Sequence, residues 1–194
     1  MKISLCLVSS LLVAGTAVSA PVTYQVDPGH TYPSFEADHF NGLSIWRGKM
    51  DHTQGTIVLD REAKSGTVDI TVDASSIDFG HPKLNEHAKS PELFDVAKYP
   101  TITFKSKTIT KDGDGLRVKG DLTIHGVTKE AVLEVEGPTG EQKDPYGNVR
   151  VGASATTKVK RSEHGLTWNA ALETGGIMLG DDLKVELDVS LIKG

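Results

Sequence analysis

An all-β chain built from antiparallel strands is the fold class this sequence predicts. Two observations carry it. Apolar and polar residues alternate with a period of two over most of the chain, the mark of strands with one buried face. Turn-rich stretches cut these runs at short intervals: "REAKSG", "KDGDG", "GPTGEQKDPYGN" and "LETGG". Strands at such spacing close into a sandwich or a barrel.

The alternation is clearest near the C-terminus. In "LKVELDVSLI", Leu183, Val185, Leu187, Val189 and Leu191 share one face, and Lys184, Glu186, Asp188 and Ser190 share the other. Val68, Ile70 and Val72 alternate in "TVDITVD", and Ile102 and Phe104 in "TITFKS". "LRVKGDLTI" offers Leu116, Val118, Leu122 and Ile124, and "AVLEVEG" offers Ala131, Leu133 and Val135. Val151, Ala153, Ala155 and Thr157 form a small-residue face, followed by Val159. About eight to ten strands result. An eight-stranded barrel is about wide enough to be filled by side chains or to hold one ligand. Ala131, Ala153, Ala155 and Ala170 either leave room inside or are packed by Trp46, Trp168 or a phenylalanine. One segment breaks the rhythm. "HPKLNEHAKSPELFDVAKYP" reads as one or two short helices around residues 82–97, with Ser90 as an N-cap and Pro91 at a first helical position.

The first twenty residues read as an export signal: Lys2, the apolar "ISLCLVSSLLVAG", then "AVSA". Cleavage after Ala20 and cleavage after Ala17 are both open. The rest, residues 21–194, reads as one domain. The apolar stretch is too short to span a bilayer comfortably, and no second one follows. Cys6 is the only cysteine, so a chain cut after the signal has no thiol nucleophile, CxxC pair or cysteine zinc site. Removing Lys2 moves the formal charge from −5 to −6. An acidic chain without a basic block argues against nucleic acid and against anionic membrane surfaces.

The segment "HTYPSFEADH" raises a metal or catalytic reading, because His30 and His39 bracket Glu36 and Asp38. Strand geometry weakens it. Successive residues rise about 3.3 Å and alternate faces, which separates the two histidines by roughly 30 Å if extended. Phe35, Ala37 and His39 share a face, so the segment reads as barrel wall. The remaining histidines, His52, His81, His87, His125 and His164, form no HExxH or comparable spacing. His39, His81 and His87 are the set to check for a spatial cluster. His125 falls on the outward parity or in a turn. No GxSxG elbow, phosphate loop or dinucleotide fingerprint occurs.

In order, "DPGHTYPSFEADH", "ELFDVAKYPTITFKS", "GDLTIHGVTKEAVLEV" and "RSEHGLTW" resemble the YceI-like family of bacterial polyisoprenoid-binding proteins. The resemblance runs from about residue 23 to the C-terminus. It departs in "KLNEHAKSPELFD", where the family often has an Arg-Asp pair and a double Phe, and at His164, where an aromatic residue is usual. It implies an extended eight-stranded antiparallel lipocalin-like barrel. Its channel would hold a polyisoprenoid, such as a quinone tail or prenyl phosphate, or a related amphiphilic lipid. It implies a periplasmic carrier with no catalysis, no cofactor beyond the bound lipid, no stable membrane insertion, and dimers among relatives, hence a homodimer as an expectation here. The lining expected from parity is Phe35, His39, Ile102, Phe104, Leu122, Ile124, Leu133, Ala153 and Leu187. Trp46, Phe94, Trp168, Leu172 and Met178 are added at strand ends or loops, to line or gate a mouth. The competing expectation is a metal-dependent enzyme or metal-binding stress protein using clustered histidines.

Overall fold

The structure is a computed structural model that describes residues 20–63 and 65–194; the predicted export signal lies outside them, apart from Ala20. Twelve strands form one sheet: β1 (Val22–Val26), β2 (Tyr32–His39), β3 (Ser44–Met50), β4 (Thr53–Asp60), β5 (Ser65–Asp73), β6 (Ile77–Asp78), β7 (Thr101–Asp112), β8 (Gly115–Ile124), β9 (Val127–Glu136), β10 (Gln142–Lys143), β11 (Val149–Lys160) and β12 (Leu179–Lys193). Among the described residues one α-helix, α1 (Pro82–Lys89), interrupts them.

The sheet closes because β12 is paired along both edges. One edge carries β11 from Arg150↔Ile192 to Lys160↔Asp182. The other carries β2 up to Tyr32↔Asp188 and then β1 from Val26↔Leu191. Thus β1 and β2 together make one stave of the barrel. So do β4 with β3, and β5 with β6, each pair broken by a short non-strand step. With β7, β8, β9, β11 and β12 running through, eight antiparallel staves result. The expected eight-stranded barrel is present, and the twelve strands are its eight staves, three of them in two pieces, plus the two-residue β10 beside β11.

The break between β1 and β2 is sealed rather than open. Thr31 is fully buried, its hydroxyl accepts from the Ser190 amide at 3.1 Å, and Asp27 N donates to Ser190 O. Buried backbone groups need such partners.

One short helix lies in the expected segment, but it does not start at Ser90. Pro82, not Pro91, occupies the first turn of α1, where its missing N–H costs nothing. Ser90 closes that helix instead of opening a second one. Its amide and hydroxyl both donate to His87 O. The chain then turns through Asp95 at φ 43°, with the Phe94 amide returned to Ala88 O. A left-handed residue five positions on leaves no length for another helix.

Three apolar clusters fill the interior. Tyr24, Val26, Ile57, Val151, Val189 and Leu191 pack at the end near the chain terminus, here the base. Met50, Ile70, Val72, Ile77, Ala88 and Leu93 pack beneath α1, and Ile124, Val159 and Leu166 beside them. The α1 end is here the top.

Candidate functional site: an apolar channel in two chambers

The inward stripe of β12 sets the depth scale of the interior. From Leu183 to Leu191 it spans about 27 Å at roughly 3.4 Å per residue. Two cavities lie along it. The upper one is about 140 Å³ and is lined by Leu183, Val185 and Leu187 of β12, with Phe35, Phe94, Ile102, Phe104, Leu122 and Ile124 facing them. The lower one is about 70 Å³ and is lined by Leu187, Val189 and Leu191, with Val68, Val118 and Ala153 among the facing residues.

Glycines make space for the rings of the upper wall. A Cβ at Gly48 would lie 2.5 Å from Phe35 Cζ, and one at Gly120 would lie 2.7 Å from Phe104 Cζ. Each ring therefore lies against bare backbone of a neighbouring strand. Phe35 also meets Phe79 edge-on, with centroids 5.5 Å apart, a favoured aromatic geometry.

The base is closed by polar ties around dense packing. Tyr24 Oη donates to Glu141 Oε1 at 2.7 Å, and Lys193 Nζ donates to the same oxygen at 2.9 Å. On the outer face of the same end, Asp27 and Asp144 both hold Arg150, at 2.5 and 2.7 Å, and Arg150 Nη1 donates to Ser190 Oγ. The Arg150 hydrogen bond is the first reason that both carboxyls sit below their ordinary pKa.

One cation closes the top. Arg161 lines the upper chamber and is 5% exposed. Its guanidinium donates to Gly180 O at 2.8 Å, Trp168 O at 2.8 Å, Leu179 O at 3.2 Å and Leu166 O. Burial pushes its pKa down from the ordinary value, yet an arginine stays charged in a protein. A rigid fork of donors suits such a ring of carbonyls, which pins the chain after β11 to the start of β12.

Of the expected lining, Phe35, Phe94, Ile102, Phe104, Leu122, Ile124, Leu133 and Leu187 line the upper cavity, and Leu133, Ala153 and Leu187 line the lower one. His39, Trp46, Trp168, Leu172 and Met178 line neither. His39 stacks on Trp46 at 4.7 Å, and Trp46 leans on Phe79. Trp168 covers the cluster beneath α1 and meets His87 edge-on at 4.7 Å. Leu172 and Met178 belong to the loop before β12, where Phe40 N donates to Met178 O. Of the small residues read as wall, Ala170 lies in that same loop and Ala131 lines neither cavity.

The histidines are not brought together. His39 bonds Ser44, His30 bonds Asp27, and His125 sits in the β8–β9 turn at φ 50° against Tyr99. His164 Nδ1 lies 3.0 Å from Val127 O, and His87 Nδ1 lies 3.3 Å from Glu92. Among the described residues, no group of three or more His, Cys, Asp or Glu is placed to hold a metal ion. No described helix is long and apolar enough to cross a membrane.

A closed antiparallel barrel around an apolar channel defines the class: a lipocalin-like fold. The chain belongs to the YceI-like domain family, whose model matches residues 24–191. It is 34% identical over 162 residues to Protein YceI of Salmonella arizonae, covering 83% of this chain and 84% of that one. It is similar to the crystal structure of the Campylobacter jejuni YCEI protein, with TM-score 0.67, 27% identity, and 78% and 87% of the two chains covered. Burkholderia cenocepacia BcnA shares the fold at TM-score 0.71 and 20% identity, over 85% of this chain and 98% of that one. So does a polyisoprenoid binding domain from Saccharophagus degradans, at TM-score 0.62 and 16% identity, over 89% and 99%.

Proposed function

We propose that this protein is a periplasmic carrier that holds a polyisoprenoid, or a similar long-chain amphiphile, by its apolar tail inside the barrel. The observation that carries the reading is the channel itself. Apolar side chains from opposite walls line two end-to-end spaces, and the polar closures lie at the ends. A prenyl tail that loses water there gains up to about 0.8 kcal/mol per buried CH₂. Ordering the tail offsets a large part of that gain. Family membership and the polyisoprenoid binding domain of similar fold support the same class of ligand.

The chambers are small for such a tail. A cavity of roughly 150 Å³ takes a molecule the size of benzene, so a long chain enters only as side chains move apart. The test is solvent extraction and mass spectrometry of untagged protein from its own periplasm, beside a Thr157→Trp variant. Thr157 faces the upper chamber from β11, and an indole there fills it. The expected outcome is a co-purifying prenyl lipid in the native protein and at least tenfold less in the folded variant. Equal lipid in both would refute the channel as its seat.

A further inference from the structure

The two chambers share four lining residues: Ile70 on β5, Leu133 on β9, Ala155 on β11 and Leu187 on β12. We propose that this ring is the length-determining element of the channel. Once the upper chamber has opened around a tail, this ring limits the tail to that chamber, and a longer tail passes only when Leu187 swings aside. The inference rests on the carrier reading and adds to it the size class of the tail.

Position and packing make the case. Ile70 comes from the wall opposite β11 and β12 in the closed sheet. Ala155 and Leu187 are direct cross-strand partners, and Ala155 is also paired with Val135 of β9. Side chains so paired have Cβ atoms about 5 Å apart. The inward neighbours of Ala155 on β11 are Ala153 and Thr157, paired with Val189 and Val185. Leu187 therefore faces three small side chains in a row, Ala153, Ala155 and Thr157. That is the free space a leucine needs to change rotamer without displacing backbone. The other wall is less yielding. Ile70 is 5% exposed and packs in the cluster beneath α1, and a β-branched side chain has few alternatives at χ1. Leu187 is only half-buried and packs at the margin of two clusters rather than within one, so it is the movable part of the ring, and Ala155 sets how far it can move. Below the ring the channel ends on Pro138, Val189 and Leu191, so a tail that passes gains a second, limited length.

The experiment measures geraniol, farnesol and geranylgeraniol by displacement of N-phenylnaphthylamine from the full-length exported protein, with Leu187→Ala and Ala155→Leu alongside. Circular dichroism and melting curves establish that each is folded, and Ala155→Val substitutes if Ala155→Leu does not fold. In the native protein, affinity is expected to rise from geraniol to farnesol and then level off. Leu187→Ala should extend the rise, binding geranylgeraniol roughly tenfold more tightly than the native protein does, the effect of about two more buried CH₂ groups. Ala155→Leu should weaken farnesol by a similar factor and geraniol by less, so that the gain from geraniol to farnesol shrinks. An affinity that climbs equally with length in all three proteins would overturn the ring and leave the carrier standing. A folded native protein that binds none of the alcohols would bring down the carrier reading, and the ring with it.

Discussion

The two ends of this barrel are closed by opposite means. At the base, charges meet charges: Asp27 and Asp144 on Arg150, Glu141 on Lys193. Around them, fully buried Tyr24 and well-packed Leu191 leave little space. At the top, a single buried cation meets only backbone carbonyls, and the wall above it is made of loops and a two-turn helix. The base carboxylates are mostly buried, but each keeps other donors if Arg150 is lost: Gly29 N and His30 on Asp27, Asn148 on Asp144. Of the four carbonyls that converge on the buried guanidinium, Leu179 O also accepts from Asn169 Nδ2 at 2.6 Å, and the other three depend on Arg161 for their side-chain donor. The comparison teaches that the more fragile closure is the one nearer the larger chamber.

The sharpest way to break that contrast is Arg161→Met. It leaves several buried carbonyls without donors, each worth about 1–3 kcal/mol. A loss of about 3 kcal/mol or more in urea unfolding is expected, and Arg161→Lys should recover little of it, since an ammonium cannot reach a ring of divergent acceptors. A change below about 1 kcal/mol would show that water already serves these carbonyls. Arg150→Met probes the base and should cost less. Here pH supplies the diagnostic. Asp27 and Asp144 have native pKa values below their unfolded value of about 3.9. Their contribution is therefore complete above that pH and fades as pH falls through the native values. The stability gap between native and variant protein should be constant from neutral pH down to about 5, then narrow in acid. A gap independent of pH would assign the loss to packing instead. Smallest is Tyr24→Phe, which deletes the hydrogen bond to Glu141 and keeps the ring; about 1 kcal/mol is expected from calorimetric melting.

Which parts of this architecture were readable in the amino-acid sequence follows from how each is encoded. A strand states its inner face by parity, so Phe35, Ile102, Phe104, Leu122, Ile124, Leu133, Ala153 and Leu187 could be assigned to the interior from the alternation alone. Parity does not state depth. It cannot tell that His39, two residues beyond Ala37 on the same face, has already passed the rim, or that Leu187 rather than Leu183 stands at the narrowing. Residues in loops carry no parity at all. Size and flexibility put Trp168, Leu172 and Met178 at the mouth; the structure seats Trp168 against α1 and Met178 beside the β2–β3 turn, and holds Leu172 in a local turn with Gly175 and Gly176. Arg161 was hidden by its neighbours: in "KVKRSEHG" it reads as one more solvated charge. Only the fold of the chain from Leu166 to Gly180 over it makes it a buried group. Ser90-Pro91 misled for a related reason. The same dipeptide serves to start a helix or to follow one, and the choice was made by the turn at Asp95.

The three divided staves have a mechanical consequence. In a barrel of unbroken strands, a change of bore must be shared by every ladder along its full height. Here β7, β8, β9, β11 and β12 are continuous, whereas the side made by β1/β2, β4/β3 and β5/β6 is jointed between Val26 and Tyr32, Met50 and Thr53, and Asp73 and Ile77. Hydrogen bonds above the joints belong to a different ladder from those below. The hydrogen-bond ladders of the cylinder are thus segmented along one flank and, on the other, narrow to three residue pairs between β9 and β11, Ser154↔Glu136 to Thr156↔Glu134, so the barrel has two places, not one, where its bore is held by few bonds.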